Sequence, residues 1–274
     1  MTAYATGPES GVVYSLTSAE GYEAVFNDSA HANYVGVLSG EDAITGLDSP
    51  EILENAGPLV EADGGLHGTF WAGRRPITLQ GELFSASKTT RNQMMTRLQR
   101  ASMALRSDAT LKWTPTGSIG QQIKVRRNQP LRITGGFKKK FFVPLVAADP
   151  RIYSQSEYTS SNIVAGTPVT IENQGDAESF PRMRITGPGT NPVVSTGGRS
   201  LTINTTLTGG QYIDVDLLRK TVVRSDGANL YSSVAYLTST WWGLLPSTQS
   251  VSVAWTSGNT GASIVVVYWR DAWL

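Results

Sequence analysis

Asp214 and Asp216 stand two residues apart in a run that alternates apolar and polar side chains, so both carboxylates project from one face of a strand. Such a pair can hold a cation or divide acid and base work. No third ligand follows at a useful spacing, and Arg219 and Lys220 are close by, so an ion-paired, solvated face is the plainer reading. A hydrolase built on the two carboxylates would need a deep cleft that nothing in the sequence implies. His31 and His67 are the two histidines; they lie far apart, with no Asp, Glu or His at ligand spacing. The chain carries no P-loop, nucleophile elbow or HExxH motif. It has no cysteine, which removes disulfides, thiolate zinc sites and thiol catalysis. The expectation is a protein that is not an enzyme and uses no metal or cofactor.

Trp241-Trp242 is the best candidate for a ligand platform, because an exposed aromatic pair can stack on sugar rings. Neighbouring residues of a strand point to opposite faces, however, so one of the two is expected in the core and the other over an edge or contact. Positive charge gathers in Arg74-Arg75, Arg126-Arg127 and Lys138-Lys139-Lys140. These clusters could line a channel that passes nucleic acid, meet an acidic stretch of a neighbour, or form solvated turns. No helix-turn-helix or aromatic-interleaved basic surface is present to read a DNA sequence.

The net charge of +1 hides a sharp division. Residues 1–73 contain eleven acids and no Lys or Arg, whereas residues 74–140 contain fifteen Lys or Arg and only two acids, Glu82 and Asp108. Adjacent stretches of opposite sign attract each other, within one domain or between copies. Between copies, a head-to-tail contact can close into a ring. Candidate partners across such a contact are Arg74, Arg75 and Arg91 on one side and Glu51, Glu54, Glu61 and Asp63 on the other. Candidates for a lumen or partner surface are Arg126, Arg127, Lys138, Lys139 and Lys140.

The elements that position these residues are mostly strands. Val12–Leu16 and Tyr34–Leu38 read as short strands, and residues 46–68, rich in Gly, Asp and Glu, as a long acidic excursion. Thr69–Trp71 and Pro76–Gly81 read as a strand pair around a turn at Ala72–Arg75. The one helix is expected at about 89–105, with Met94, Leu98, Ala101 and Leu105 on one face, Ser87 or a neighbour as cap, and Arg91, Arg97, Arg100 and Arg106 off that face. Four strand-like runs follow: Ala109–Trp113, Gln122–Val125, Pro130–Thr134 and Phe141–Val146. Residues 151–162 read as a linker between a domain at 1–150 and an all-β domain at 163–274. Alternating runs such as Met183/Ile185, Ile213/Val215 and Val251/Val253, with an Asp226-Gly227 hairpin turn, predict a β-sandwich there, and Ile264–Trp269, apolar on both faces, predicts an interior strand. The fold class expected is mainly β with one helix. No run is apolar enough to span a membrane, the first residues lack the pattern of a signal peptide, and a soluble protein made in a cytosol is expected.

Two ordered blocks carry a resemblance. The first runs Leu47-Asp-Ser-Pro-Glu51, Asp63-Gly-Gly-Leu-His67, Trp71-Ala-Gly-Arg-Arg-Pro-Ile-Thr-Leu-Gln-Gly81, then Leu131-Arg-Ile133 and Phe142-Val-Pro-Leu-Val-Ala-Ala-Asp-Pro150. The second runs Ile171-Glu-Asn-Gln-Gly-Asp176, Pro181-Arg-Met-Arg-Ile-Thr-Gly187, Leu201-Thr-Ile203 and Tyr212-Ile-Asp-Val-Asp216. Their order, over roughly residues 47–274, resembles the distal tail proteins of long-tailed bacteriophages, the siphovirus-type minor tail components. The resemblance implies an N-terminal ring-forming domain, commonly in six copies, and an outward galectin-like β-sandwich. It implies a structural virion protein at the phage tail tip. Its partners would be its own copies, the tail tube protein, tip, fibre or receptor-binding proteins and the tape-measure protein, with non-specific DNA passage through a lumen and no membrane anchor. A galectin-like sandwich does not of itself bind sugar. A carbohydrate-binding module using Trp241 and Trp242 is the alternative from another class, and a tail-tube protein carrying an extra domain is a third reading.

Overall fold

A computed structural model of the chain describes residues 11–40, 43–55, 57–58, 65–66, 69–103 and 107–274. It forms two compact units, Met1–Gln155 with Leu274, and Ser156–Trp273. Among the described residues the fold is mainly β with one α-helix, as the sequence predicts.

In the first unit, nine strands neighbour one another in the order Arg132–Thr134, Lys139–Ala147, Arg75–Leu83, Tyr34–Leu38, Glu23–Phe26, Tyr14–Thr17, Ala109–Trp113, Gln121–Arg127 and Ile152–Ser154. Arg126 and Arg127 also pair with Val146 and Leu145, which closes the path into a barrel. Its longest ladder joins Arg75–Leu83 to Lys139–Ala147 along all nine residues. Alternation decides which side chains fill the interior: Ile77, Leu79 and Leu83 are buried, opposite Leu145, Val143 and Lys139 in register. Gly81 lies opposite Phe141 on the same phase, and a Cβ there would fall 2.1 Å from the Val37 carbonyl oxygen, so only glycine lets the next strand cross.

The helix spans Lys88–Ser102, and the Ser87 hydroxyl caps it by accepting from the Thr90 N–H at 3.4 Å. Met94, Leu98 and Ala101 are buried as the i, i+4, i+7 spacing requires, and the helix packs on the strands Tyr14–Thr17, Glu23–Phe26 and Tyr34–Leu38. Leu105 and Arg106, expected to continue it, lie outside the described residues.

The acidic excursion differs from the expectation of an unpacked loop, since it contains a two-stranded ribbon, Ile52–Glu54 with Phe70–Ala72. Phe70–Ala72 therefore does not pair with Arg75–Leu83; its partner is upstream, and Arg75–Leu83 pairs with Lys139–Ala147 far downstream and with Tyr34–Leu38 and Ile44–Thr45 upstream. A pairing between segments so distant in sequence leaves no local trace. The stretch expected as a linker also carries structure: Tyr158–Thr159 pairs with Tyr268–Trp269 in the second unit.

The second unit is a sandwich. One sheet has the order Tyr158–Thr159, Ile264–Trp269, Arg182–Thr186, Tyr212–Asp216, Thr221–Arg224, and the other Val169–Asn173, Ser247–Ala254, Val193–Thr196, Arg199–Thr202. Every pairing in both sheets is antiparallel. Met183, Ile185, Ile213, Val215, Val265 and Val267 from the first sheet meet Ile171, Val194, Leu201, Val251 and Val253 from the second in one core. Ile264–Trp269 is flanked on both sides, as its apolar faces predict. The Asp226-Gly227 turn is present, with Gly227 at φ +87° and the Arg224 N–H donating to the Ala228 carbonyl at 2.9 Å.

Candidate functional site

Arg75 shares the inward phase of its strand with Ile77 and Leu79 and is 0% exposed. Its Nε donates to the Pro150 carbonyl at 2.7 Å, and Nη1 to the carbonyls of Gly46 and Leu47 at 3.1 and 2.9 Å. Gly46, at φ +84°, is needed beside it: a Cβ would lie 1.8 Å from the Pro76 oxygen. The candidate contact residue Arg75 is thus an internal clamp holding the start of the acidic excursion to the end of the unit. The alternation of Arg75, Ile77 and Leu79 is the sequence signal that marks it.

Arg74 is exposed, but its carbonyl accepts from the Glu51 N–H at 3.1 Å, so Arg74 and Glu51 sit together at the base of the ribbon in one subunit. Glu51 and Glu54 are exposed; Glu61 and Asp63 lie outside the described residues, as does His67. Arg91 is at the other end of the strand Arg75–Leu83. Its Nη1 donates to the Ser85 carbonyl at 2.7 Å, and its guanidinium lies 4.8 Å from the centre of the Phe137 ring. Phe137 meets Phe84 edge-on at 5.3 Å, and both are about half exposed. The structure thus brings Arg91 to an aromatic pair and not to Arg74 or Arg75.

Of the other basic candidates, Arg126 is ion-paired with Asp108 and Lys139 donates to the Gly135 carbonyl at 2.7 Å. Lys138 and Lys140 are exposed and Arg127 is half-buried. A cleft of about 630 Å³ runs between the helix and the Gly21–Asn33 segment, lined by Glu23, Asn92, Arg97 and Arg100 among others. Glu23 there accepts from the Asn33 amide at 2.8 Å and Arg100 lies 5.3 Å from the Tyr22 ring centre, so its charged groups are engaged in structure.

In the second unit Trp242 is 0% exposed and belongs to the core, while Trp241 is half-buried and stacks on Tyr231 at 6.0 Å and 9°. Trp242 is therefore no part of an exposed platform. Asp214 accepts a two-point ion pair from Arg184 at 2.7 and 2.9 Å, directly across the ladder, and Arg184 covers the Tyr212 ring at 4.1 Å. Asp216 accepts from the Arg219 N–H at 2.9 Å. The carboxylate pair is thus a salt-bridged outer face. Near it Asp226, exposed and clasped by Arg224, is held down to about 2 by that ion pair and the Ala228 N–H. His31 is exposed, its Nδ1 accepting from the Asn33 N–H at 3.0 Å within a turn. Among the described residues no group of three or more His, Asp and Glu could hold a metal ion.

Residues 174–273 match the family model of the siphovirus-type tail component, C-terminal domain. The match bears out the resemblance to distal tail proteins read from the ordered motifs. The fold agrees: the chain superposes on the Dit protein of phage SPP1, described as a paradigm of the hub adsorption apparatus in phages infecting Gram-positive hosts, at a TM-score of 0.65. The two share 16% identity, over 84% of this chain and 92% of that one. Chains of the phage P2 baseplate in its activated conformation, with calcium and with strontium, superpose at TM-scores of 0.54 and 0.52. Their identities are 11% and 12%, over 94% of this chain and 97% of theirs. No curated protein sequence matches the chain. Within the siphovirus-type domain, Arg182, Arg184, Asp214 and Asp216 project from the same sheet whose inner face holds Met183, Ile185 and Val215, so one alternating pattern serves both the core and the charged surface.

Exposed apolar residues were the signal that charge and motif reasoning passed over. Ile52, Leu53, Trp71, Phe84 and Phe137 in the first unit and Tyr236 and Leu237 in the second are large and solvent-facing. Their positions were legible only as side chains without an inward phase, and burial depends on strands far away in sequence.

Proposed function

We propose that the chain is a non-enzymatic structural subunit of a long phage tail, forming an oligomeric ring hub at the distal end. One observation carries this reading: a siphovirus-type tail component domain at 174–273 follows a barrel-and-helix unit, in a chain whose fold matches the SPP1 hub protein over 84% of its length. The first unit forms the ring, drawn together by the opposed charges of residues 1–73 and 74–140. The second unit, a two-sheet sandwich of the galectin type, holds tip or fibre proteins. The tail tube binds the ring above, and the tape-measure protein and then DNA pass a lumen to which Arg127 and Lys140 contribute positive charge. The glycan reading is not carried forward, because Trp242 is core and Trp241 is covered on one side by Tyr231. Gold-labelled antibody against residues 156–273, applied to intact virions, is expected to decorate only the tail end away from the capsid. Label along the tube or on the capsid would contradict the proposal.

A further inference from the structure

Two exposed patches of the first unit lie at opposite ends of the strand Arg75–Leu83. At its start the ribbon Ile52–Glu54/Phe70–Ala72 is tied in by the Gly73 N–H donating to the Glu51 carbonyl at 2.6 Å. This ribbon exposes Leu53 (48%) and Trp71 (53%), opposite each other in register and so on one face, and Ile52 (68%) on the other face, with the exposed acids Asp48 and Glu51 at its start. At the far end stand Phe84 and Phe137, the latter 57% exposed, with Arg91 over the ring and the exposed Lys88 and Lys138 on the adjoining helix start and loop. Both patches pair large exposed apolar side chains with charge of opposite net sign: at the ribbon the exposed Asp48, Glu51 and Glu54 outnumber the exposed Arg74, and at the aromatic pair the charge is basic. Clustered exposed apolar groups of this size mark contact sites, and complementary sign selects which surfaces meet.

Nine strand residues at about 3.3 Å each separate the two patches by about 30 Å. One copy therefore cannot bring its own ribbon to its own Phe84–Phe137 pair. Every copy carries one of each, so a head-to-tail contact uses both once per subunit and propagates until it closes.

We infer that the acidic, apolar ribbon at Asp48–Glu54 and Trp71 of one copy seats on the Phe84–Phe137–Arg91 cluster of a second copy. This rests on the ring-hub reading and names the surfaces that make the ring. It replaces Arg75, which is internal, and Arg74, which sits on the ribbon, by Arg91 and Lys88 as the basic side.

The absence of cysteine makes a crosslinking test clean. In Leu53→Cys/Phe137→Cys, mild oxidation is expected to give a ladder of covalent oligomers, whereas mixing the two single variants gives dimers. Lys138→Cys replaces Phe137→Cys as the second site if the loss of the ring impairs folding. In parallel, Glu51→Arg is expected to weaken self-association by roughly tenfold, and adding Arg91→Glu to restore it. A wild-type chain that oligomerises by light scattering while neither double-cysteine variant forms a ladder overturns this contact and leaves the hub reading standing. A chain that stays monomeric at every concentration overturns the contact as well, and the virion labelling then judges the hub reading alone.

Discussion

Arg75 shows how a residue can carry the right charge for a surface role and hold none. Its guanidinium binds three carbonyls inside the subunit, that of Pro150 buried and those of Gly46 and Leu47 half-buried, and its removal takes a donor from each, at about 1–3 kcal/mol for the buried one. Arg75→Met is expected to lower stability by about 3 kcal/mol or more in urea unfolding followed by tryptophan fluorescence, while Arg74→Ala stays within about 0.5 kcal/mol of wild type. Equal effects would mean that the clamp contributes nothing. The two tryptophans divide in the same way. Trp242→Ala is expected to cost about 3–5 kcal/mol, and Trp241→Ala, which loses a stack on Tyr231, about 1 kcal/mol, read from the same unfolding curves. Neither tryptophan lies in a strand, so alternation does not decide which of the pair is core; Trp242 fills the space between two sheets whose pairing is set by segments far away in sequence.

Strands with regular alternation were readable where they stand. Tyr34–Leu38, Ala109–Trp113 and the inner-face pairs of the sandwich occupy their expected places, and the helix shows its expected face at Met94, Leu98 and Ala101. The ribbon at Ile52–Glu54 was hidden by its Gly, Pro and acid content, since its strands are held by pairing and by the Arg75 clamp and not by local preference. Asp271, between the strand Ile264–Trp269 and the short strand Ala272–Trp273, is a further non-local feature: it is 1% exposed, accepts from the Gln174 N–H at 3.0 Å, and burial raises its carboxyl above the ordinary carboxylate range. The native state therefore binds this proton more tightly than the unfolded chain does. Its contribution to stability is fully present below the ordinary carboxylate pKa and is lost as pH rises through the folded value. Urea midpoints measured from about pH 4 to about pH 7 are expected to fall less with rising pH in Asp271→Asn than in wild type. An unchanged slope would show that Asp271 does not titrate differently on folding.

At the scale of the whole molecule, the separation of acids in residues 1–73 from bases in residues 74–140 leaves each copy with two unlike surfaces to cover. Folding satisfies a few of these charges internally, Arg75 among them, and leaves Asp48, Glu51, Lys88 and Lys138 exposed. Self-association is therefore expected to weaken as added salt screens the pairing, while the apolar part of the contact persists. The most direct measurement is the mass of the purified chain by light scattering at low and high salt. A single species at a fixed multiple of the chain mass, falling to smaller species in high salt, is the expected result. A strict monomer at low salt and high concentration would contradict a ring built from this chain's own surfaces.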